Sequence, residues 1–108
     1  MGQVTPAELK AQLAQSPRTF LLINVHVDGN GHVNGNIPGT DADIAYTDVP
    51  AIEQFIGTDK GKSVVIYCMT DYMSGIAGPQ LVTDGYCNIR ALTQGMNAWV
   101  SAGYAVDP

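Results

Sequence analysis

Cys68 stands where a nucleophile is expected in an α/β protein, at the end of a predicted buried strand. Residues 64–67 (VVIY) form an unbroken β-branched and aromatic run, which is typical of a strand covered on both faces of a parallel sheet. Residues 69–73 are too polar and too irregular to continue the strand, and a helix is predicted from Ser74. The backbone N–H groups of such a loop and the positive end of the helix favour a thiolate over a thiol. The spacing therefore predicts that Cys68 is the centre of the chain's chemistry.

The Gly- and Asn-rich segment 26–40 is the second place where side chains could do chemistry. It resembles a calcium loop only in part, because Val33 replaces the glycine of the sharp turn and Gly39 replaces the bidentate glutamate. Asp28, Asn30 and His32 have the alternate spacing of calcium ligands, and a separate possibility is metal binding by His26, His32 and Asp28. No pattern fixes their geometry, so we interpret the segment as a long solvated loop without a metal site.

The composition restricts the partners that the chain can have. Its 108 residues are enough for one domain, and 45% of them are hydrophobic. The net charge is −5 with only five Lys and Arg residues, so a basic surface for nucleic acid or anionic membranes is not expected. No apolar run approaches the length of a membrane span, and no secretory signal is visible. We therefore expect a cytoplasmic protein.

The two cysteines, Cys68 and Cys87, are not expected to form a disulfide. One predicted helix separates them, and in a strand–helix–strand crossover they would lie roughly 15 Å apart. A disulfide requires Cα atoms within about 7 Å of each other. We therefore expect two free thiols, with Cys87 in the core.

Strands and helices alternate along the chain, which predicts one three-layer α/β domain over residues 1–108 with a parallel sheet. The first helix has the clearest start, because Thr5 is a good N-cap, Pro6 suits the first helical position and Glu8 completes a capping box. The other predicted elements are a short edge strand at Val4, strands at 20–25, 43–45, 64–68 and 88–92, and helices at 50–56, 74–84 and 95–102. The residues predicted to form the helices' apolar faces are Leu9, Leu13, Ile52, Phe55, Ile56, Ile76, Ala77, Leu81 and Trp99.

The ordered set of short motifs resembles a single-domain rhodanese-like sulfurtransferase. The matching pieces are LLINV at 21–25, G-x-IPG at 35–39, VVIYC at 64–68, DGYCNI at 84–89, LTQGMNAW at 92–99 and AGYAV at 102–106. The resemblance implies a five-stranded parallel sheet with helices on both faces. It also implies that Cys68 takes up a sulfane sulfur as a persulfide and passes it to an acceptor such as cyanide or another thiol.

Elementary chemistry supports sulfur transfer by the segment that follows Cys68. A loop of six residues tends to turn successive N–H groups inward as an anion nest, which would stabilise the anionic terminal sulfur of a persulfide. No general base or cofactor is required, because a thiolate attacks a sulfur–sulfur bond. The residues expected to bind the substrate or anion are Met69, Thr70, Asp71, Tyr72, Met73 and Ser74.

Two loop residues depart from the family pattern C-x-x-G-x-R-S. Asp71 occupies the glycine position, and Met73 occupies the position of the arginine that the family uses to hold an anionic donor such as thiosulfate. Loss of a charge-assisted contact removes roughly 1.5–3 kcal/mol, or about one to two decades of affinity. Asp71 adds a repulsive charge that would oppose a thiolate at Cys68. We therefore expect thiosulfate to be a poor donor and polysulfide, glutathione persulfide or a protein persulfide to be a better one.

A further departure lies before the long loop, where Asn24, Val25 and His26 replace the Asp-Val-Arg that the family often has. We interpret this as a structural ion pair exchanged for a neutral hydrogen bond. The functional alternative is that His26 acts as an acid or base near Cys68. Asn36 also replaces a frequent histidine, with no chemical consequence evident from the sequence.

Two other functions remain as alternatives to sulfur transfer. A phosphatase-like or arsenate-reductase-like site needs an arginine at the end of its loop, whereas Met73 and Ser74 stand there. The stronger alternative is a non-catalytic binding or regulatory module that has kept the fold. Met69, Tyr72 and Met73 could then form a hydrophobic rim for a partner protein. Persulfide formation on Cys68 distinguishes this module from a sulfurtransferase.

Overall fold

Strands and helices alternate in the computed structural model, which describes residues 1–27 and 35–107. The strands are β1 (Gly2–Val4), β2 (Leu21–Asn24), β3 (Ala42–Asp43), β4 (Val64–Tyr67) and β5 (Ile89–Leu92), and the helices are α1 (Pro6–Leu13), α2 (Val49–Ile56), α3 (Ser74–Thr83) and α4 (Gly95–Ser101). The predicted alternation is confirmed, with element ends shifted by one or two residues. The segment compared with a calcium loop, including Asp28, Asn30, His32 and Val33, lies outside the described residues.

All five strands pair in parallel, in the order β1-β5-β4-β2-β3. β4 is therefore central, and all four of its residues are buried. The register places Tyr67 beside Asn24 of β2 and Ile66 beside Ala91 of β5. Because parallel strands all end at the same edge, Cys68 emerges at the carboxyl edge of the sheet, between the ends of β2 and β5. The predicted five-stranded parallel sheet is confirmed.

Successive side chains of β4 enter two different cores, one on each face of the sheet. Ile66 and Cys68 face the core that α2 and α3 cover, whereas Val65 and Tyr67 face the core that α1 and α4 cover. The helices contribute Ile52 and Ile56 from α2, Ala77 and Leu81 from α3, Leu9 from α1, and Met96 and Trp99 from α4. A strand buried on both faces needs a continuous apolar run, which explains the composition of β4.

The helices differ in how their amino ends are satisfied. At α1 the predicted capping box is present, with Thr5 Oγ1 accepting from the Glu8 N–H at 3.2 Å and Glu8 Oε1 accepting from the Thr5 N–H at 2.9 Å. Asp48 caps α2 by accepting from the Ala51 N–H, but no side chain caps α3. In the described part of the chain, no helix has the length and apolar character needed to cross a membrane.

Three predictions of burial were wrong. Phe55 is 42% exposed and Ile76 is 45% exposed, because each lies on the flank of its helix while residues three or four apart form a narrower buried face. Cys87 is exposed rather than in the core, since it lies in the turn before β5 and its Sγ contacts the Lys60 carbonyl oxygen at 3.4 Å. The prediction that both cysteines are free thiols is confirmed.

Two acidic side chains, Glu53 of α2 and Asp84 at the end of α3, affect each other electrostatically. The hydrogen-bonding contact with the Asp84 carboxyl, burial and the charge of Asp84 raise the pKa of Glu53 above its ordinary value of 4.5, against an opposing effect of Lys60. Glu53 Oε2 has no donor among the described residues. Two carboxyl groups share a hydrogen bond only while one of them keeps a proton, so the contact is weakened once both ionise.

We predict that Glu53→Gln raises the melting temperature at pH 7. The stability that depends on the Glu53 proton is present below the unfolded-state pKa and is lost as pH rises through the higher folded-state pKa. A neutral glutamine should keep this stability at pH 7 and lose its advantage near pH 4, as measured by thermal unfolding across pH.

Glu8→Gln is the matched control with the opposite sign. Hydrogen bonds from Thr5 lower the pKa of Glu8, so its stability is present above the unfolded-state pKa and is lost as pH falls. This variant should be less stable than the wild type at pH 7, with the difference disappearing in acid. If both variants change stability in the same direction at pH 7, the conclusion that the folded protein raises the pKa of Glu53 is wrong.

Candidate active site

Cys68 is buried at the start of the loop that follows β4. Only 1% of its surface is exposed, and its thiol donates to the Thr70 carbonyl oxygen, with 2.9 Å between Sγ and O. Ser74 Oγ lies 3.7 Å from the same sulfur, and Ser74 is also buried. In this conformation the sulfur is therefore covered by its own loop and faces a carbonyl group.

The loop nevertheless offers N–H donors to an anion. The peptide N–H groups of Met69, Thr70, Asp71, Met73 and Ser74 have no acceptor within the residues that the structure describes. The first turn of α3 has no side-chain cap, so its partial positive charge is not neutralised there. These groups are the ones that the sequence predicted for an anion nest, and they lie within six residues of the sulfur.

The amino end of α4 holds the carbonyl side of this loop. The Met96 N–H donates to the Cys68 carbonyl oxygen at 2.8 Å, and the Asn97 N–H donates to the Met69 carbonyl oxygen at 3.0 Å. Two unpaired N–H groups of a helix end are thereby used to fix two successive peptide planes. Because a trans peptide is planar, the N–H groups of Met69 and Thr70 point away from α4.

Gly95 permits this close approach of α4 to the loop. A Cβ atom at this position would lie 2.1 Å from the Cys68 carbonyl oxygen and 2.6 Å from that of Thr70. Gly95 also has φ of +56°, in the left-handed region that favours glycine. The segment LTQGMNAW was predicted to be a strand end and a helix and was part of the family resemblance, but a role of its glycine at the Cys68 loop was not predicted.

The predicted loop residues occupy different environments. Thr70, Asp71 and Tyr72 are exposed at the tip, whereas Met69 and Met73 are partly buried and pack against opposite cores, Met73 on the side of Cys68. Residues 68–74 contain no Lys, Arg or His, and Asp71 is their only charged residue. The Asp71 carboxylate accepts from the Gln94 N–H at 2.8 Å.

The end of β2 lies next to the Cys68 loop, and the Val25 N–H donates to the Tyr67 carbonyl oxygen. The backbone N–H of His26 donates to Asn24 Oδ1 at 2.9 Å, and His26 is partly buried. These contacts place the backbone of His26 at the same sheet edge as Cys68. Its proposed role as an acid or base stays a prediction.

Neutral hydrogen bonds link Asn24 and Asn36 behind the site. The buried Asn24 donates through Nδ2 to Asn36 Oδ1 at 2.9 Å and to the Gly35 carbonyl oxygen at 3.0 Å. The Tyr67 hydroxyl bonds to Thr40 Oγ1 at 2.8 Å and accepts from the Ile37 N–H at 3.0 Å, and burial raises the pKa of Tyr67. Asn36 Oδ1 also accepts from the Tyr67 hydroxyl at 3.3 Å. Asn36, which had no evident role in the sequence, therefore helps to connect the IPG segment to the strand that carries Cys68.

The described residues include no metal-binding cluster at Cys68. Within residues 1–27 and 35–107, no three His, Cys, Asp or Glu side chains are grouped so that they could hold a metal ion. A cavity of about 280 Å³ opens on the α1–α4 face. It is lined by Lys10, Leu13, Ala14, Pro38, Trp99 and Ala105, none of which belongs to the loop. The groups that the described residues place at Cys68 include its thiol, the peptide N–H groups of the loop and the amino end of α3.

We predict that Gly95→Ala destabilises the fold and displaces the Cys68 loop. The clash with backbone oxygens and the left-handed conformation together should lower the free energy of unfolding by about 2–5 kcal/mol. Chemical denaturation measures this loss, and the rate of Cys68 alkylation by iodoacetamide in a Cys87→Ser background reports the loop.

Gly103→Ala is the matched control at the other end of α4. Gly103 also has a positive φ, of +86°, but no atom lies within 4 Å of its added Cβ. Gly103→Ala should lower the free energy of unfolding only by the cost of the left-handed conformation, about 1–2 kcal/mol, and should leave the Cys68 alkylation rate unchanged. Equal effects of the two substitutions would show that the contact with the loop is unimportant.

Comparisons with known proteins agree with this architecture. The family model described as Rhodanese-like domain matches residues 5–102. A search of the curated proteins finds no match. Among solved structures, a rhodanese-like domain from Anabaena sp. has a TM-score of 0.81 and 21% identity, covering 99% of this chain and 79% of that one. A rhodanese-like domain protein from Staphylococcus aureus has a TM-score of 0.76 and 24% identity, with both chains covered over 100% of their length.

A third similar structure is a thiosulfate sulfurtransferase from Pseudomonas aeruginosa, with a TM-score of 0.76 and 19% identity. It is matched over 98% of this chain but over only 19% of its own. At these identities the structural matches establish the fold alone. The family match extends from the start of α1 to the end of α4 and includes Cys68 and its loop. The chain belongs to the rhodanese-like domain family.

Proposed function

We propose that the protein is a sulfurtransferase or sulfur carrier that moves sulfane sulfur through a persulfide on Cys68. The observation that carries the proposal is the position of this cysteine. It lies at the carboxyl end of the central strand, at the uncapped end of α3, in a loop where the N–H groups of Met69, Thr70, Asp71, Met73 and Ser74 lack acceptors among the described residues. Such donors stabilise an anionic sulfur without a metal or a cationic side chain.

The transfer consists of two displacements at sulfur. The Cys68 thiol first loses its proton to solvent or to the donor, and the thiolate attacks the terminal sulfur of a persulfide or polysulfide. A new sulfur–sulfur bond forms on Cys68, the bond in the donor breaks, and the donor leaves as a thiolate or shortened polysulfide. An acceptor thiolate or cyanide then attacks the terminal sulfur, and the Cys68 thiolate leaves. No oxidant or reductant is needed, because the sulfane sulfur keeps its oxidation state.

The loop must change conformation before the first displacement. In the structure the thiol donates to the Thr70 carbonyl oxygen, which would repel a thiolate or a persulfide anion. Deprotonation of Cys68 removes the donor from this contact, and the anion is then attracted to the loop's free N–H groups. The structure thus corresponds to the resting thiol in this mechanism.

The charges of the loop disfavour a small, doubly charged donor. Met73 supplies no positive charge, and Asp71 is negative. Thiosulfate would have to bind through peptide dipoles alone, whereas a polysulfide or a thiol persulfide carries its sulfane sulfur on a less highly charged group. The exposed ring of Tyr72, 70% accessible, is available for contact with a protein donor or acceptor. Thiosulfate is therefore proposed as a poor donor and a polysulfide or thiol persulfide as a better one.

The alternative is a binding or regulatory module that does not turn over sulfur. It is favoured by one observation, that Cys68 is 1% exposed and its thiol is already bonded within the loop. A module of this kind would leave the thiol unmodified and use the exposed tip of the loop, including Tyr72, for contact with a partner.

We predict that incubation with polysulfide adds 32 Da per sulfur to the reduced protein, as expected for attack by Cys68 on a sulfur–sulfur bond (roughly one sulfur per chain). Intact mass spectrometry measures the gain, and cyanide should remove it. Cys87→Ser should keep the gain because Cys87 lies away from the loop, whereas Cys68→Ser in the Cys87→Ser background should gain nothing. Absence of sulfur gain in both the wild type and Cys87→Ser would contradict the proposal and favour the binding module.

We predict that Met73→Arg selectively improves loading from thiosulfate. A guanidinium at the loop's end should increase the thiosulfate loading rate by roughly ten- to a hundredfold, the value of one charge-assisted contact, and should change polysulfide loading less. The control is Met73→Gln, which is polar but uncharged and should leave thiosulfate loading low. If the wild type loads equally from both donors, the charge of the loop does not determine donor choice.

A further inference from the structure

We propose that Asp71 is a positioning residue that fastens the Cys68 loop to α4, and that in the loading of Cys68 its hydrogen bond outweighs the repulsion between its charge and an anionic sulfur. The inference deepens the proposed sulfur transfer and rests on it. The opposite expectation is that a carboxylate at the family's glycine position only repels the thiolate.

Asp71 connects the two helices that border the loop. Its carbonyl oxygen accepts from the Gly75 N–H in the first turn of α3 at 2.9 Å. Its carboxylate Oδ1 accepts from the Gln94 N–H directly before α4 at 2.8 Å. One residue therefore holds the start of α3 with its backbone and the start of α4 with its side chain.

The Gln94 N–H is presented by an unusual backbone conformation. Gln94 has φ of +56° and ψ of +15°, and it is the only non-glycine residue with a positive φ in the described part of the chain. This conformation is unfavourable for a residue with a side chain, so contacts around it must maintain it. The Asp71 carboxylate is the acceptor that satisfies the Gln94 N–H in this conformation.

The connection matters because the next N–H groups of α4 orient the loop. Two residues after Gln94, the Met96 N–H binds the Cys68 carbonyl oxygen, and the Asn97 N–H binds that of Met69. These bonds turn the N–H groups of Met69 and Thr70 away from α4, where they remain available for an anion. Loss of the Asp71 contact should loosen the turn at Gln94 and with it the orientation of the N–H donors that the persulfide needs.

Positioning and charge make opposite predictions for three variants. Asp71→Asn keeps a side-chain oxygen that can accept from the Gln94 N–H but removes the charge, whereas Asp71→Ala removes both. Asp71→Gly, the residue usual in the family, also removes both but relaxes the backbone. If the hydrogen bond of Asp71 dominates, Asp71→Asn should still take up sulfur from polysulfide and Asp71→Ala should not. If the repulsion by its charge dominates, all three variants should take up sulfur faster than the wild type.

The test measures polysulfide loading and iodoacetamide alkylation of Cys68 in a Cys87→Ser background. We expect Asp71→Ala to reduce the loading rate roughly tenfold, the value of one hydrogen bond to a charged group, and Asp71→Asn to restore most of it. The control is Asp59→Ala, since Asp59 Oδ1 accepts from the Gly61 N–H at 3.0 Å in a turn before β4, away from the loop. Asp59→Ala should load at the wild-type rate.

Two further measurements keep the proposal testable if Asp71→Ala folds poorly. In the wild type, the Gln94 amide should exchange slowly with deuterium, and in Asp71→Gly this protection should fall together with that of Met96 and Asn97. Faster loading in both Asp71→Ala and Asp71→Asn, or a Gln94 amide that is unprotected in the wild type, would overturn the proposal. If the wild type gains no sulfur while alkylation and exchange respond as expected, sulfur transfer has failed and the positioning role of Asp71 stands.

Discussion

The candidate site depends on hydrogen bonds that the amino end of α4 makes to the peptide carbonyls of Cys68 and Met69. A helix begins with N–H groups that have no partner of their own, and here two of them bind the loop that carries the cysteine. Each such bond contributes only about 1 kcal/mol, but together they fix peptide planes and hence the directions of the opposite N–H groups. The absence of a side chain at Gly95 makes this distance possible.

In the proposed mechanism the Cys68 loop binds an anion with peptide dipoles. Residues 68–74 contain no basic side chain, so within this loop the stabilisation of a sulfur anion would come from peptide N–H groups and from the uncapped start of α3. Dipoles act over short distances and in fixed directions, whereas a guanidinium attracts an anion from farther away. A loop of this kind suits a donor that delivers one sulfane sulfur at close contact more than a free inorganic dianion.

The loop is also connected to the sheet from the opposite side. Tyr67, the last residue of β4, bonds through its hydroxyl to Ile37 and Thr40, and Asn24 bonds to Gly35 and Asn36. The IPG segment therefore contacts the residue before Cys68, whereas α4 contacts the two peptide groups that follow Cys68. Substitutions in any of these segments would change the position of the sulfur without contacting it.

Much of the architecture could be predicted from the sequence, because it depends on local patterns. The apolar run 64–67, the capping box at Thr5 and Glu8, and the glycine stops after α2 and α3 determine where elements begin and end. The same patterns placed Cys68 at the end of the central strand. The burial of helix residues was predicted less well, and Phe55 and Ile76 are exposed. The helical spacing of apolar residues indicates which side of a helix faces the core, but it does not indicate how wide the buried face is.

What only the tertiary structure decided is the environment of the site. The contact of Asp71 with Gln94 joins residues 23 positions apart in the sequence, and no local pattern reveals which way a carboxylate at a loop tip will face. The same holds for the carbonyl facing Cys68 Sγ and for the exposure of Cys87. The sequence by itself determined the order of the elements and the position of Cys68 at the end of a strand, because both follow from side-chain type and spacing. The directions of peptide groups and charges were decided by packing between elements distant in the chain, which spacing does not encode.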